Sequence, residues 1–233
     1  MKKASGDIVI MLNSDTILPN GFCEKIIQCF ESDKEIGLAS PIGSYTADFY
    51  IPMEKSYTLE QMNELLREKH QCKYPLIYAA EGFCFCIRRE VINQQGYLDE
   101  IYGKGYDEEI DYAFRAITNG WKNVLIDNLY VYHKRQASFG ADIRKQLLEQ
   151  NYPIFNSRWN GFRQKYEKEH NISANPVKEI EAEMFSERKP DCCKLSFFEK
   201  IFSIKNSNDK QYKIITLLGI SVKHKRRKSN DRN

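Results

Sequence analysis

An unbroken apolar run near the start of the chain constrains the fold most. The run Ile8–Leu12 is followed directly by the polar triplet Asn13-Ser14-Asp15. A continuous apolar run of this length predicts a strand that is buried on both faces, as in the centre of a parallel sheet. Because such a strand needs neighbours on both sides and little sequence precedes it, we expect the chain to begin within a domain.

The order of elements after this run predicts an α/β fold. Apolar residues at helical spacing predict a helix over 22–30, and a second strand follows at 36–41. Strand–helix–strand order is typical of a mostly parallel sheet with flanking helices. Thr58 and Gln61 form a capping-box pattern, which predicts a helix that continues to about His70.

The next hundred residues alternate between strand and helix patterns. Predicted strands cover 74–80, 83–87, 124–126 and 129–132. One predicted helix begins near Arg89, and another covers 141–170. The clearest helix contains Ile110, Ala113, Phe114 and Ile117 at i, i+3, i+4 and i+7. Asp111 and Arg115 have the spacing to pair, and we expect this pair on the outer face of that helix.

Composition and charge exclude several classes of protein. The net charge is only +3, and the seven cysteines form an odd set without a secretory signal, which favours a reducing cytoplasm. Cys84 and Cys86 alternate, so we expect both on the same side of a strand as small core residues. No apolar run approaches the roughly 20 residues of a membrane helix. Aromatic residues make up 12% of the chain, which suits a packed core and also carbohydrate stacking.

Three groups of residues have the chemistry of a site. Asn13 and Asp15 follow the first strand, where a carboxylate can bind a divalent cation and through it a diphosphate, although both are also ordinary turn formers. The clearest helix begins with Glu108, Glu109 and Asp111. Repulsion among the three carboxylates raises the pKa of at least one of them, whereas the helix N-terminus favours the ionised form. A carboxylate that stays ionised and yet is basic enough to accept a proton suits a general base. An ordinary acidic first turn is the alternative. His133 ends a strand, where it is either structural or a metal ligand with Asp15.

Four segments together resemble family 2 glycosyltransferases, which are inverting enzymes of the GT-A type. The segment 6–16 is similar to the strand and metal-binding triplet of that family. The segments 82–100 and 105–115 match its next signatures, and 131–139 matches its closing strand and loop. The resemblance implies a partial GT-A fold, Rossmann-like, in a catalytic portion over 1–170. Residues 171–233 would then be a linker and a C-terminal extension rich in basic and aromatic residues.

The resemblance also implies a role for each candidate residue. Asp15 and His133 would bind Mg²⁺ or Mn²⁺, with Asn13 near the donor nucleotide. Glu109 would be the general base for the acceptor hydroxyl, Glu108 would orient the acceptor, and Asp111 would support the site from the helix. The partners would be a nucleotide-sugar donor and a glycan or lipid-linked acceptor, in bacterial surface-polysaccharide assembly.

The two ends of the chain carry further expectations. The nucleotide-binding N-terminal half of the family has no counterpart in the sequence, so we expect an isolated chain with weak or no activity, and a non-catalytic remnant is the alternative. A short helix over 197–202, a strand over 212–218 and the basic run 223–228 resemble tails of lipopolysaccharide and capsule enzymes. Such a tail suits a cytoplasmic protein that binds the inner-membrane surface, or a solvated terminus. A nucleic-acid binder would use the same basic run, but the acidic motif argues against it, and no nucleic acid is expected.

Overall fold

The computed structural model describes residues 1–53, 56–69, 72–134, 141–172 and 175–185, and the backbone of three strands between 202 and 225. The chain divides into two compact units, Met1–Phe185 and Ser186–Asn233. The first unit contains every candidate site residue.

A five-stranded sheet forms the centre of the first unit. Its strands are β1 (Ile8–Leu12), β2 (Thr16–Ile17), β3 (Ile36–Gly43), β4 (Cys84–Arg88) and β5 (Lys122–His133), in the order β1-β4-β3-β5-β2. The predicted α/β class is confirmed, but the sheet is not mostly parallel. Among the described pairs only β3 and β5 are parallel, whereas β4 runs antiparallel to both β1 and β3. Apolar periodicity reports burial and carries no information on strand direction, which is why the sequence suggested otherwise.

The first strand lies at the edge of this sheet. β1 pairs with β4 alone among the described strands. Of its five side chains only Val9 is buried, and Leu12 is 41% exposed. The prediction of a centrally buried strand is therefore wrong for the described chain. An apolar run indicates that burial of the strand is favourable, but it does not indicate which elements cover each face.

Within the described residues, seven helices and one short 3-10 turn flank the sheet. They are α1 (Phe22–Ser32), α2 (Leu59–Lys69), α3 (Arg89–Gln95), the 3-10 turn (Glu100–Tyr102), α4 (Glu108–Thr118), α5 (Ala141–Trp159), α6 (Phe162–Glu169) and α7 (Pro176–Phe185). The capping box before α2 is confirmed, because the Thr58 N–H donates to Gln61 Oε1 at 2.9 Å and the Gln61 N–H donates to Thr58 Oγ1 at 3.2 Å. These reciprocal bonds satisfy two N–H groups that the first turn of a helix leaves without a partner.

The two faces of the sheet bury separate sets of side chains. Phe22, Ile26 and Phe30 of α1 pack on one face, together with Cys84 and Cys86. Both cysteines are fully buried on the same side of β4, as predicted. Buried residues of α2, α4 and α7 pack on the opposite face, with Phe85 and Ile87. Because helices pack on both faces, the sheet and the strand ends that carry the candidate site residues are held in place.

Other boundaries differ from the sequence prediction. The segment 74–80 is no strand but contributes an isolated bridge between Leu76 and Val124. The two short strands at 124–126 and 129–132 form one strand, β5, with an irregular register where Pro41 and Ile42 pair with Ile126 and Tyr130. The predicted helix over 141–170 is interrupted at Gly161, which has a φ of 72°.

Part of the expected linker is a helix of the core. Val177, Ile180 and Met184 of α7 are buried against the main cluster of the first unit. The first unit therefore extends to Phe185 rather than ending near residue 170. Proline and polar residues suggested a linker, but Pro176 begins this helix, a position in which a missing N–H costs no hydrogen bond.

The second unit contains a three-stranded antiparallel sheet. Its strands are β6 (Phe202–Asn206), β7 (Tyr212–Leu217) and β8 (Ile220–Lys225). β7 confirms the predicted strand at 212–218. The predicted helix over 197–202 lies outside the described residues except for Phe202, which belongs to β6, and the end of the basic run lies outside them as well. Within the described part of the chain, no helix has both the length and the apolar character needed to span a bilayer.

Candidate functional site

Asp15 and His133 lie side by side where β2 meets the end of β5. β2 pairs with β5 in a register that places Thr16 opposite His133, and the Lys134 N–H donates to the Asp15 carbonyl at 3.0 Å. Asp15 Oδ1 is 3.3 Å from His133 Nε2. The short β2 strand thus fixes the carboxylate directly beside the imidazole, and the structure brings these two predicted residues together.

The imidazole of His133 has a defined orientation. Its Nδ1 is 2.6 Å from the carbonyl oxygen of Tyr45, which assigns the ring proton to Nδ1. Nε2 faces Asp15 Oδ1 and Asn13 Nδ2, the latter at 3.3 Å. The ring also stacks on Phe83, with centroids 5.3 Å apart and an interplanar angle of 20°. An imidazole that donates one N–H to a carbonyl and turns the other nitrogen towards a carboxylate has the arrangement of a metal ligand.

The donor set at this point suits a divalent cation that also binds phosphate. No group of three histidine, cysteine, aspartate or glutamate side chains within the described ranges has the arrangement of a closed metal site. Cations of nucleotide-dependent enzymes need less, because Mg²⁺ commonly takes one or two protein ligands and completes its shell with water and substrate phosphates. Asp15 and His133 therefore fit Mg²⁺ or Mn²⁺ in the presence of a nucleotide.

The acidic group lies at the start of α4, after a tight turn. Tyr106 and Asp107 both have a φ of 73°, a conformation that few residues other than glycine adopt. Glu108 and Glu109 then form the first turn of the helix. The Oε2 atoms of both are shielded from solvent and have no hydrogen-bond partner among the described residues. The two side chains also interact with each other, so one oxygen of each shielded carboxylate stays without a protein partner beside a like charge.

The pKa of Glu109 is raised to about 8. Desolvation by the surrounding protein is the main cause, and the neighbouring charge of Glu108 adds to it. Burial and Glu108 also raise the pKa of Asp107. The N-terminus of the helix opposes these effects without cancelling them. A carboxylate with a pKa near the working pH is a better proton acceptor than an ordinary glutamate.

Gly82 and Phe83 connect the two halves of the site. A Cβ atom at Gly82 would lie 2.5 Å from Glu109 Oε1, so the carboxylate of Glu109 rests on the bare backbone of this glycine. Phe83 stacks on His133, and its carbonyl accepts the N–H of Asn13 at 2.9 Å. Adjacent Cα atoms are about 3.8 Å apart. The acidic half and the Asp15–His133 half therefore border neighbouring residues of one segment.

Asp111 has a different place from the other predicted residues. Its side chain is fully buried and accepts hydrogen bonds from four donors: Tyr102 Oη at 3.1 Å, Arg115 Nε at 2.9 Å, Arg158 Nη1 at 3.1 Å and Trp159 Nε1 at 2.8 Å. The predicted pair with Arg115 is confirmed, but Asp111 does not lie on an outer face. Helical spacing predicts which residues pair, whereas α5, which covers this side of α4, follows later in the chain.

Glu81 is a buried group of the site that the sequence did not reveal. Its Oε1 accepts the N–H groups of Asp48 at 2.6 Å and Phe49 at 3.1 Å. Burial raises the pKa of this carboxyl group. Glu81 thereby fixes the loop after β3 to the segment 81–83. In the sequence, the position of Glu81 directly before Gly82-Phe83 is the one feature that could have indicated a role. That position does not predict a contact with a loop more than thirty residues away.

Comparisons with known proteins bear on the same part of the chain. The family model for glycosyl transferase family group 2 matches residues 8–148. That range includes all six predicted site residues. Among solved structures, the chain is similar to a crystal structure of GalNAc-T7 with UDP, GalNAc and Mn²⁺, at 14% sequence identity and a TM-score of 0.44. The match covers 91% of this chain and 46% of that chain, so this chain spans about half the length of that protein. No curated protein gives a significant match.

Proposed function

The chain belongs to glycosyl transferase family group 2, and we propose that it transfers a sugar from a nucleotide-sugar donor to an acceptor hydroxyl with inversion at the anomeric carbon. Membership of the family supports glycosyl transfer, and the reaction, the donor, the acceptor and the stereochemistry are all part of the proposal. The observation that supports it most is the shielded carboxylate of Glu109, next to the segment whose Phe83 stacks on His133.

Glu109 is the proposed general base. The acceptor oxygen forms a bond to the anomeric carbon while the bond from that carbon to the phosphate oxygen breaks. The acceptor proton passes to the Glu109 carboxylate, and the electron pair of the broken bond leaves with the nucleotide. Since the pKa of Glu109 is about 8, the ionised fraction rises with pH through this value, and turnover should rise with it.

Asp15 and His133 are the proposed ligands of Mg²⁺ or Mn²⁺. Bound there, the cation would neutralise charge on the departing phosphate oxygens. Asn13, whose side chain is 3.3 Å from His133 Nε2, would lie at the border of the donor nucleotide. Phe83 holds the imidazole ring, and the Tyr45 carbonyl holds its proton on Nδ1, so the lone pair of Nε2 is kept towards Asp15.

Glu108 and Asp111 take supporting roles in this proposal. Glu108 raises the pKa of Glu109 and lies in the same first turn, where it can orient the acceptor. Asp111 fixes α4 against Arg158 and Trp159 of α5, and so fixes the position of the turn that carries the base. We also propose a glycan or lipid-linked acceptor in bacterial surface-polysaccharide assembly, at the cytoplasmic face of the inner membrane. The basic run 223–228 in the sequence supports this location.

The test is nucleotide release by the purified protein in the presence of Mn²⁺. UDP-, GDP-, CMP- and dTDP-sugars would each be incubated with simple saccharide acceptors, and released nucleotide would be quantified. We expect weak release with one donor class, and at least about a hundredfold loss of it in Glu109→Gln. The anomeric configuration of the first product, determined by proton NMR, tests inversion.

Glu31→Gln is the matched control, because Glu31 is an exposed carboxylate of α1 outside the site. It should release nucleotide at the wild-type rate. Wild-type turnover in Glu109→Gln would exclude Glu109 as the base. Product with the anomeric configuration of the donor would exclude a single displacement. No release with any donor would remove the support for catalysis by this chain.

A further inference from the structure

Two exposed tyrosines lie together in the loop that follows β3. Tyr45 is 49% exposed and Tyr50 is 40% exposed. Their rings are nearly parallel, with an interplanar angle of 12° and centroids 6.1 Å apart. We call this pair the tyrosine platform. Two stacked aromatic rings at the surface present an apolar outward ring face, with a hydroxyl on each ring.

The backbone holds Tyr50 in its outward position. The neighbours of Tyr50 in the sequence, Phe49 and Ile51, are both buried. The Gly43 N–H donates to the Phe49 carbonyl at 3.1 Å, and the Ile51 N–H donates to the Gly43 carbonyl at 3.0 Å. Because successive side chains of an extended segment point to opposite sides, burial of both neighbours turns Tyr50 away from the core.

Tyr45 is held by the candidate metal ligand. Its carbonyl accepts the Nδ1 proton of His133, and the adjacent Ser44 exchanges hydrogen bonds with the backbone of His133 at 2.8 and 2.9 Å. Glu81 holds the middle of the loop through the N–H groups of Asp48 and Phe49. The loop that carries the platform is therefore fixed to His133 at one end and to the segment 81–83 at its centre. Glu109 rests on that same segment.

We propose that the tyrosine platform binds a pyranose ring of the acceptor saccharide. This inference rests on the proposed function, since it assumes that the sugar hydroxyl to be glycosylated approaches Glu109. The apolar C–H face of a pyranose suits an aromatic ring face, and the phenol hydroxyls can bond to sugar hydroxyls at the rim. Both tyrosines belong to the loop whose backbone binds His133 and Glu81, which connects the platform to the two halves of the site.

The experiment is saturation-transfer NMR of the full chain with maltose, cellobiose, lactose and chitobiose as probes. The double variant Tyr45→Ala/Tyr50→Ala should bind the preferred probe at least about tenfold more weakly than the wild type. Tyr152→Ala is the matched control, because Tyr152 is a 63% exposed tyrosine on a different element, α5. Tyr45→Phe and Tyr50→Phe keep the ring faces and should retain most of the affinity. All substituted side chains are exposed, and an unchanged unfolding temperature checks that each variant folds.

Three results would overturn the proposal. These are equal binding by the wild type and the double variant, an equal loss in Tyr152→Ala, and no binding of any probe to the wild type. Glu109→Gln separates this proposal from the proposed function, because it should bind the probe normally and fail only in transfer. Tyrosine-dependent binding without turnover of any donor would refute the proposed function and leave the platform standing. Transfer with an unchanged acceptor KM in the double variant would refute the platform and support the proposed function.

Discussion

Replacement of Glu109 by glutamine should make the stability of the protein less dependent on pH. The folded environment raises the pKa of this carboxyl from its ordinary value of 4.5 to about 8. Between these values the folded chain retains a proton that the unfolded chain releases, so raising the pH favours unfolding. The penalty is absent below 4.5 and complete above about 8. The pKa rises by about 3.5, and each unit corresponds to roughly 1.4 kcal/mol, so the loss in the free energy of unfolding is at most about 5 kcal/mol.

The assay is urea denaturation from pH 4.5 to 8.5, comparing the free energies of unfolding of the wild type and Glu109→Gln. Glutamine has the shape of the protonated glutamate but no charge to desolvate, so the two proteins should be nearly equal at pH 4.5. Because the side chain keeps some exposure and water can relax around it, we expect the variant to be more stable by about 3 kcal/mol at pH 8. Glu31→Gln should follow the wild type throughout. A constant difference between wild type and Glu109→Gln across this range would refute the reasoning, since it would show that no proton uptake accompanies burial of the group.

Three further changes test separate contacts of the site. Gly82→Ala places a Cβ 2.5 Å from Glu109 Oε1, so nucleotide release should fall at least about tenfold while circular dichroism stays unchanged; undiminished release would show that the contact is irrelevant. Asp111→Ala leaves Arg115 and Arg158 without their buried partner and should lower the free energy of unfolding by about 3–5 kcal/mol in urea; a loss below about 1 kcal/mol would contradict this. His133→Phe keeps the stacking on Phe83 but removes the proposed ligand, so any rise in unfolding temperature caused by Mn²⁺ with the nucleotide of the active donor should disappear, and a rise equal to that of the wild type would exclude His133 as a ligand.

Local patterns predicted the elements that short-range physics determines. The helix with Ile110 and Phe114 and the capping box at Thr58 depend on residues within four positions of each other, and both are present. The pairing of Asp111 with Arg115 is equally local and also present. Its burial is not local, because it depends on Trp159 and Arg158, which lie nearly fifty residues further along the chain.

Features set by distant partners escaped the sequence reasoning. The apolar run at Ile8–Leu12 predicts a strand correctly, but its place at the sheet edge depends on which strand pairs with it. The segment 74–80 has strand composition and yet forms only one bridge, because Asn123 and Asp127 bind its backbone through side chains instead of a ladder. A metal site of Asp15 and His133 is one of two interpretations of these residues and is implied by the family resemblance, and the register of β2 on β5 accounts for their proximity physically.

The segment Glu81–Phe83 has a consequence for protein engineering. Its three consecutive residues hold the loop after β3, the carboxylate of Glu109 and the ring of His133. Glu81 binds backbone N–H groups of this loop, and every residue except proline offers such a group. The exposed side chains of the loop 44–50 can therefore be varied while Glu81 still holds its backbone. A library that varies these positions and keeps Glu81–Phe83 would sample new surfaces at a fixed distance from the site.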